Sequence, residues 1–207
     1  MIVASIPVKD NSYTSILQKI QTDLVELRLD YLHSLDEFEL DNLDKYRKKL
    51  ILTVREQNEG GINYHDPLKK KLFLSKAMDR GFLVDLEDSF VRKYGIDTSK
   101  AIVSSHFLEA EPESSQLSEL VSTYSNHSYV TKVALRFSPT SRMKLVRLLG
   151  EFNNLAVMEL DGESSSRILY SMLGSRLLYC HLGEKTSPGQ ISCDEAIEII
   201  NRLRNRN

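Results

Sequence analysis

Eight short runs rich in Val, Ile and Leu recur along 207 residues, each separated from the next by a stretch of different periodicity. This alternation restricts the fold more than any other feature. The runs are Ile2–Ile6, Leu24–Leu29, Leu50–Val54, Phe82–Leu86, Ala101–Ser105, Tyr129–Leu135, Leu155–Leu160 and Leu177–Leu182. All are of strand length and bounded by polar or turn residues. Between them the apolar residues fall at helical spacing, as with Ile16, Leu17 and Ile20 in Ser15–Ile20, or Leu117, Leu120 and Val121 in Ser114–Tyr124. Ser141–Leu149, Ser165–Leu173 and Asp194–Leu203 read the same way, and Asp66-Pro67 opens Leu68–Met78 with an N-cap and a first-turn proline. Leu35 to Lys48 is charged and only lightly amphipathic, and Ser89–Tyr94 is a turn or two long.

Strands alternating with helices form either a closed (β/α)8 barrel or an open doubly wound sheet. An open nucleotide-binding sheet calls for a glycine-rich turn after an early strand, whereas here Pro7-Val8-Lys9-Asp10 follows the first. A barrel typically takes about 250 residues, so this chain requires short loops. No linker, low-complexity stretch or composition break divides it, and the polar patch Glu109–Ser115 is a loop inside the same unit. The expectation is α/β, a single compact (β/α)8 TIM barrel over residues 1–207.

Hydrophobic residues at 41%, charged residues at 27% and a net charge of -2 give no bias towards nucleic acid or an anionic membrane. The first residues, Met-Ile-Val-Ala-Ser-Ile-Pro, read as a strand rather than a signal peptide. The basic tail Arg202 to Asn207 reads as a fraying helix end, with cations near its negative pole. Cys180 and Cys193 have neither zinc-ligand nor redox-motif spacing, so two free thiols in a cytoplasmic protein are expected. No His, Cys and carboxylate set has metal-ligand spacing.

Barrel enzymes place their chemistry at the C-terminal ends of the strands. On the sixth run Val130, Lys132 and Ala134 share a face, since side chains alternate along a strand. An amine on a buried strand face is costly to keep charged, which favours its nucleophilic form. His106 ends the neighbouring fifth run and could move protons for it. A Schiff-base lysine with a histidine acid/base partner is the chemistry these two residues suggest. Glu26, Arg28 and Asp30 share a face at the end of the second run, and Asp85 and Glu87 face inward from the fourth. Gly60-Gly61 permits a tight turn carrying Glu59 back over the strand ends. Asp161 to Arg167 and Thr186-Ser187-Pro188-Gly189-Gln190 supply further polar groups after the last two runs.

Taken together, Glu26-x-Arg28-x-Asp30, Thr53-x-Arg55-x3-Glu59-Gly60-Gly61, Ser104-x-His106, Lys132-Val-Ala, Ser166-Arg167, Leu173-Gly174-Ser175 and Pro188-Gly189-Gln190 resemble type I 3-dehydroquinate dehydratase. The motifs stand in family order and cover nearly the whole chain. The resemblance implies a (β/α)8 barrel that removes water from 3-dehydroquinate to give 3-dehydroshikimate, without metal or organic cofactor, commonly as a homodimer. It implies Lys132 as the imine-forming lysine, His106 as the acid and base with a pKa near neutrality, and Glu59 as the acid orienting that histidine. Arg167 would hold the substrate carboxylate, and Glu26, Arg28, Arg55, Thr186 and Gln190 would position the ring and hydroxyls. There are departures. Thr186 stands where the family usually has serine, Glu163 stands where it often has glycine (Gly162 being one place earlier), and Phe107 directly follows His106 where the family often has one residue between.

Two other readings compete. A class I aldolase-like barrel would also use a strand lysine, but would not need His106, Glu59 and Arg167 together, and one acting on sugar phosphates would want a glycine-rich phosphate site after the last two strands. A non-catalytic barrel binding the same metabolites could keep the arginines and drop Lys132 or His106, yet both are present.

Overall fold

The computed structural model describes residues 1–204; the last part of the expected C-terminal helix end, residues 205–207, lies outside them. Nine strands make one sheet: β1 (Ile2–Pro7), β2 (Leu24–Arg28), β3 (Leu50–Thr53), β4 (Leu83–Glu87), β5 (Ala101–Phe107), β6 (Val130–Arg136), β7 (Leu155–Leu160), β8 (Leu178–His181) and the two-residue β9 (Ile191–Ser192). Every pairing is parallel, in the order β7-β6-β5-β4-β3-β2-β1-β8-β9. The sheet curls into a (β/α)8 barrel, as the strand–helix alternation requires. Its seam lies between β7 and β8, where no strand ladder forms among the described residues. Two bonds stitch it at the N-terminal end instead: Arg176 N–H donates to Leu155 O at 2.9 Å, and Val157 N–H donates to Ser175 Oγ at 3.0 Å.

Among the described residues, seven α-helices lie outside the sheet: α1 (Tyr13–Leu17), α2 (Pro67–Asp79), α3 (Asp88–Tyr94), α4 (Ser114–Tyr124), α5 (Pro139–Glu151), α6 (Ser165–Met172) and α7 (Cys193–Arg204). Asp66 caps α2, its carboxylate accepting from the Leu68 and Lys69 amides, and Ser138 caps α5 reciprocally with Ser141. The helix expected over Leu35 to Lys48 is replaced by 3₁₀ turns at Leu35–Glu37 and Asp41–Tyr46. The reason is periodicity. The buried pairs Leu35/Phe38 and Leu40/Leu43 are each spaced by three, the repeat of a 3₁₀ turn, and do not form a 3.6-residue stripe.

Pleating divides the apolar residues into two shells. One face of each strand packs on the helices, with Val25, Leu27, Leu52, Val103, Val133 and Val157 among them. The other face fills the barrel, beginning with an apolar plug of Val3, Leu24, Ile51, Ile102, Val130, Ala156 and Leu177. Two residues further along, the same inward faces carry Ser5, Glu26, Thr53, Asp85, Ser104, Lys132 and Tyr179, all buried. The barrel interior therefore changes from hydrocarbon to polar along its axis. The expected free thiols are corrected by the fold: Cys180 and Cys193 form a disulfide, with Cα atoms 4.9 Å apart. Sequence spacing could not reveal this, because the pairing arises when the chain returns alongside β8 through β9 and enters α7.

Candidate active site

The nine residues given catalytic or binding roles from the sequence, namely Glu26, Arg28, Arg55, Glu59, His106, Lys132, Arg167, Thr186 and Gln190, line one cavity of about 120 Å³ at the C-terminal ends of the strands, whereas the inward-facing Asp30, Asp85 and Glu87 lie behind its lining. Lys132 comes up from β6 at its floor, only 4% exposed. Its Nζ donates to Asp85 Oδ2 at 2.8 Å and stands 4.5 Å from the centroid of the Tyr179 ring. The amine is therefore buried beside a counter-ion; the sequence placed Asp85 inward but did not pair it with Lys132. Asp85 also accepts from Arg55 Nη2 at 2.8 Å and from Ser104 Oγ at 2.6 Å. Burial works against this carboxylate's charge, yet Arg55 and Lys132 outweigh it and hold the group well below the usual carboxylate range.

Arg55 extends the network. Its Nη1 donates to Glu87 at 2.9 Å and to Ser104 at 2.7 Å, and burial is outweighed by Asp85 and Glu87, so its pKa is raised well above normal. Behind it the fully buried Lys70 joins Glu87 at 2.7 Å and Glu56 at 2.6 Å. Lys70 escaped the sequence reading, because its neighbours in α2, Lys69 and Lys71, make it look like part of a solvated charge run.

The Glu59 turn forms as its glycines suggest. Gly60 takes φ +90, and at Gly61 an added Cβ would lie 2.1 Å from the Arg55 carbonyl oxygen. This turn brings Glu59 Oε2 to 2.9 Å from His106 Nδ1 and 3.0 Å from the His106 amide. Burial, with Glu87 and Asp85 adding to it against Arg55, pushes the Glu59 carboxyl up to about 7. His106 does not keep the expected near-neutral pKa. Burial first, then the Arg55 and Lys132 cations, lower it well below the ordinary value. The lowered pKa favours the neutral imidazole, and the tautomer with Nδ1–H directed to Glu59 leaves the Nε2 lone pair as an acceptor.

Around the rim Arg28 grips Asp30 in a two-pronged pair at 2.7 and 2.8 Å and reaches the Thr186 carbonyl at 3.1 Å. Glu26 belongs to a different chain of bonds. It accepts from Ser5 Oγ and, at 2.9 Å, from Thr53; Ser5 in turn meets Thr186 Oγ1 at 2.7 Å, which accepts from Gln190 Nε2 at 3.0 Å. The hydroxyl that threonine retains at 186 is thus used. The glycine displaced to position 162 also has a role, since a Cβ there would stand 2.7 Å from Glu159 Oε2 and 3.0 Å from Glu159 Cβ. Phe107, next to His106, turns outward and packs on the strand–helix core.

Arg167 differs from the other cavity arginines. It is 3% exposed, yet Nη1 rests 3.3 Å from Met158 Sδ and Nη2 makes 3.3 Å bonds to the carbonyls of Glu159 and Pro188. It makes no ion pair among the described residues, its Nε has no partner, and burial, only partly offset by the charge of Glu159, pulls its pKa down to about 10. A buried guanidinium of this kind is set to receive an anion. Tyr179 and Met158, also in the lining, were missed by sequence reasoning; the signal for Tyr179 was its alternation with Leu177. Among the described residues no group of three or more His, Cys, Asp or Glu side chains is arranged to hold a metal ion, and no helix is long and apolar enough to cross a membrane.

A (β/α)8 barrel that brings a buried lysine, a histidine and an arginine into one cavity at the strand ends has the architecture of a barrel enzyme. A family model described as type I 3-dehydroquinase matches residues 2–206. The 3-dehydroquinate dehydratase of Sulfolobus acidocaldarius is 35% identical over 98% of this chain and 93% of its own, and that of Saccharolobus solfataricus is 37% identical over 98% and 94%. Among solved structures, the 3-dehydroquinate dehydratase of Geobacillus kaustophilus superposes with a TM-score of 0.77 at 20% identity, covering 99% of this chain and 91% of that one. The Aquifex aeolicus enzyme gives 0.73 at 22% identity, with 98% of each chain covered. The chain belongs to the type I 3-dehydroquinase family, and its enzyme class is that of a 3-dehydroquinate dehydratase.

Proposed function

We propose that this enzyme converts 3-dehydroquinate to 3-dehydroshikimate in the shikimate pathway through a Schiff base on Lys132, with His106 as general base and then general acid. The observation that carries the reading is the buried Lys132 amine in the same cavity as His106, held by Glu59, and Arg167, whose Nε has no partner among the described residues. In this mechanism Arg167 grips the substrate carboxylate and brings the ketone to Nζ. The amine adds to the carbonyl carbon, and the carbinolamine loses water to leave a protonated imine. The nitrogen must be neutral to add, so the proton it sheds passes to His106 Nε2 and returns to the carbinolamine hydroxyl, which leaves as that water; Asp85, 2.8 Å from Nζ, then faces the cationic imine. His106 Nε2 takes a proton from C2, and the electron pair flows into the imine to give an enamine. The enamine then expels the C1 hydroxyl, which leaves as water with the proton His106 carries. Hydrolysis of the remaining imine frees the product and regenerates the amine.

Glu59 holds the imidazole tautomer, while Glu26, Arg28, Arg55, Thr186 and Gln190 surround the ring and its hydroxyls. A homodimer is what the family resemblance implies, and the exposed apolar side chains of Leu169 and Met172 on α6, with Leu173 just after it, are a surface such a pairing could cover.

The test is mass spectrometry after mixing the protein with 3-dehydroquinate and sodium borohydride. A reduced adduct is expected on the peptide containing Lys132, and it should vanish in Lys132→Ala together with about 10⁴-fold or more of kcat. Turnover without an adduct would show the lysine acting only as a charge and sink the covalent mechanism.

A further inference from the structure

Tyr179 is a cavity residue that this mechanism leaves without a role. It projects inward from β8, is 2% exposed, and lays its ring 4.5 Å from Lys132 Nζ. Its hydroxyl is buried and has no hydrogen-bond partner among the described residues. Of the side chains lining the cavity, only Arg167, through Nε, shares that condition. Two unmatched donors in one polar cavity call for an acceptor from outside the protein. The two come from neighbouring stretches of the barrel, Arg167 from α6 after β7 and Tyr179 from β8; both line the cavity, and Met158, in contact with Arg167 Nη1, packs in the interior cluster that also holds Tyr179. Burial, reinforced by Glu26 and Asp85, raises the phenol's pKa well above normal, so it stays protonated as a donor.

We propose that Tyr179 is a further substrate-positioning residue, whose hydroxyl donates to the same carboxylate that Arg167 grips while its ring backs the Lys132 amine. This rests on the reading of Arg167 as the carboxylate clamp. The dimensions suit it. In 3-dehydroquinate the ketone carbon and the carboxyl-bearing carbon stand 1,3 across a six-membered ring, a span comparable to that from a phenol's centre to its oxygen. A phenol lying along the substrate thus backs the reacting nitrogen with its ring and reaches the anion with its tip.

The decisive variant is Tyr179→Phe, which keeps the ring and removes only the oxygen. The Tm of the free enzyme should be unchanged or raised, because the lost hydroxyl had no partner in the protein. KM for 3-dehydroquinate should rise about 10-fold or more, the effect of losing a hydrogen bond to a charged group, with kcat within about 3-fold of wild type. Arg167→Gln should raise KM on its own, and in that background Tyr179→Phe should cost clearly less than in wild type, since the shared anion is no longer docked. Wild-type KM in Tyr179→Phe, a lowered Tm, or equal penalties in both backgrounds overturns the proposal. An unchanged KM in Arg167→Gln overturns the clamp reading and the shared anion with it. Borohydride trapping in wild type separates these results from the covalent mechanism: loss of the adduct there would sink the imine alone.

Discussion

Glu59 and His106 share one proton site that is divided against ordinary expectation, with the carboxyl near 7 and the imidazole well below its usual range. The acid limb of kcat/KM should therefore report Glu59 rather than His106. As pH falls below about 7 the carboxyl protonates and no longer orients the imidazole, and activity should drop about tenfold per pH unit. In Glu59→Gln that limb should disappear from the pH–rate profile, along with most of the activity. Stability moves the other way. Because the folded-state value lies above the ordinary 4.5, the contribution of Glu59 is full below 4.5 and lost as pH rises through 7. Glu59→Gln should accordingly raise the Tm at pH 8 and change it little at pH 5. The two residues proposed to react were legible as candidates in the sequence, since Lys132 and His106 stand out as titratable groups among β-formers, and the fold brings both to one cavity. Their environment was not. The Asp85 partner of Lys132 depends on the register of β4 through β5 to β6, and Lys70 needs the rotation of α2. One sequence cannot supply either.

At the scale of elements, the segment from β8 to α7 carries Thr186, Pro188 and Gln190 to the cavity and is tied at both ends by the Cys180–Cys193 disulfide. Closing a loop of this size stabilises the fold by about 3 kcal/mol, chiefly by restricting the unfolded chain. Cys180→Ala with Cys193→Ala, or a reductant acting on wild type, should lower the Tm and raise KM a few-fold as the contacts of Thr186 with Ser5 and Arg28 slacken. Tm and KM measured with and without reductant check this; identical values would remove the clasp from the account. Elements with a clear period were readable, as at α4 and α5. The Leu35 to Lys48 stretch was not, because charge-rich sequence with apolar residues three apart serves a loose helix and a pair of 3₁₀ turns equally well until the core selects one.

For the molecule as a whole, the barrel is ladder-bonded everywhere but between β7 and β8. Ser175 closes part of that gap by accepting the otherwise unbonded Val157 amide. Ser175→Ala should cost about 1–3 kcal/mol for a buried donor left alone, read as a lower Tm, with faster hydrogen exchange at Val157. The eightfold alternation made the barrel itself legible, but alternation says nothing about which seam closes weakly. At the opposite end, Arg167 bridges the Glu159 and Pro188 carbonyls across the same gap. The disulfide has one more consequence. The tip it encloses, Gly183 to Lys185, is exposed, while Thr186 beside it is buried. A protease cutting after Lys185 would open a covalent ring rather than release a fragment. Such a nicked chain would keep α7 attached and run at full length on a non-reducing gel, parting into two pieces only once thiol is added.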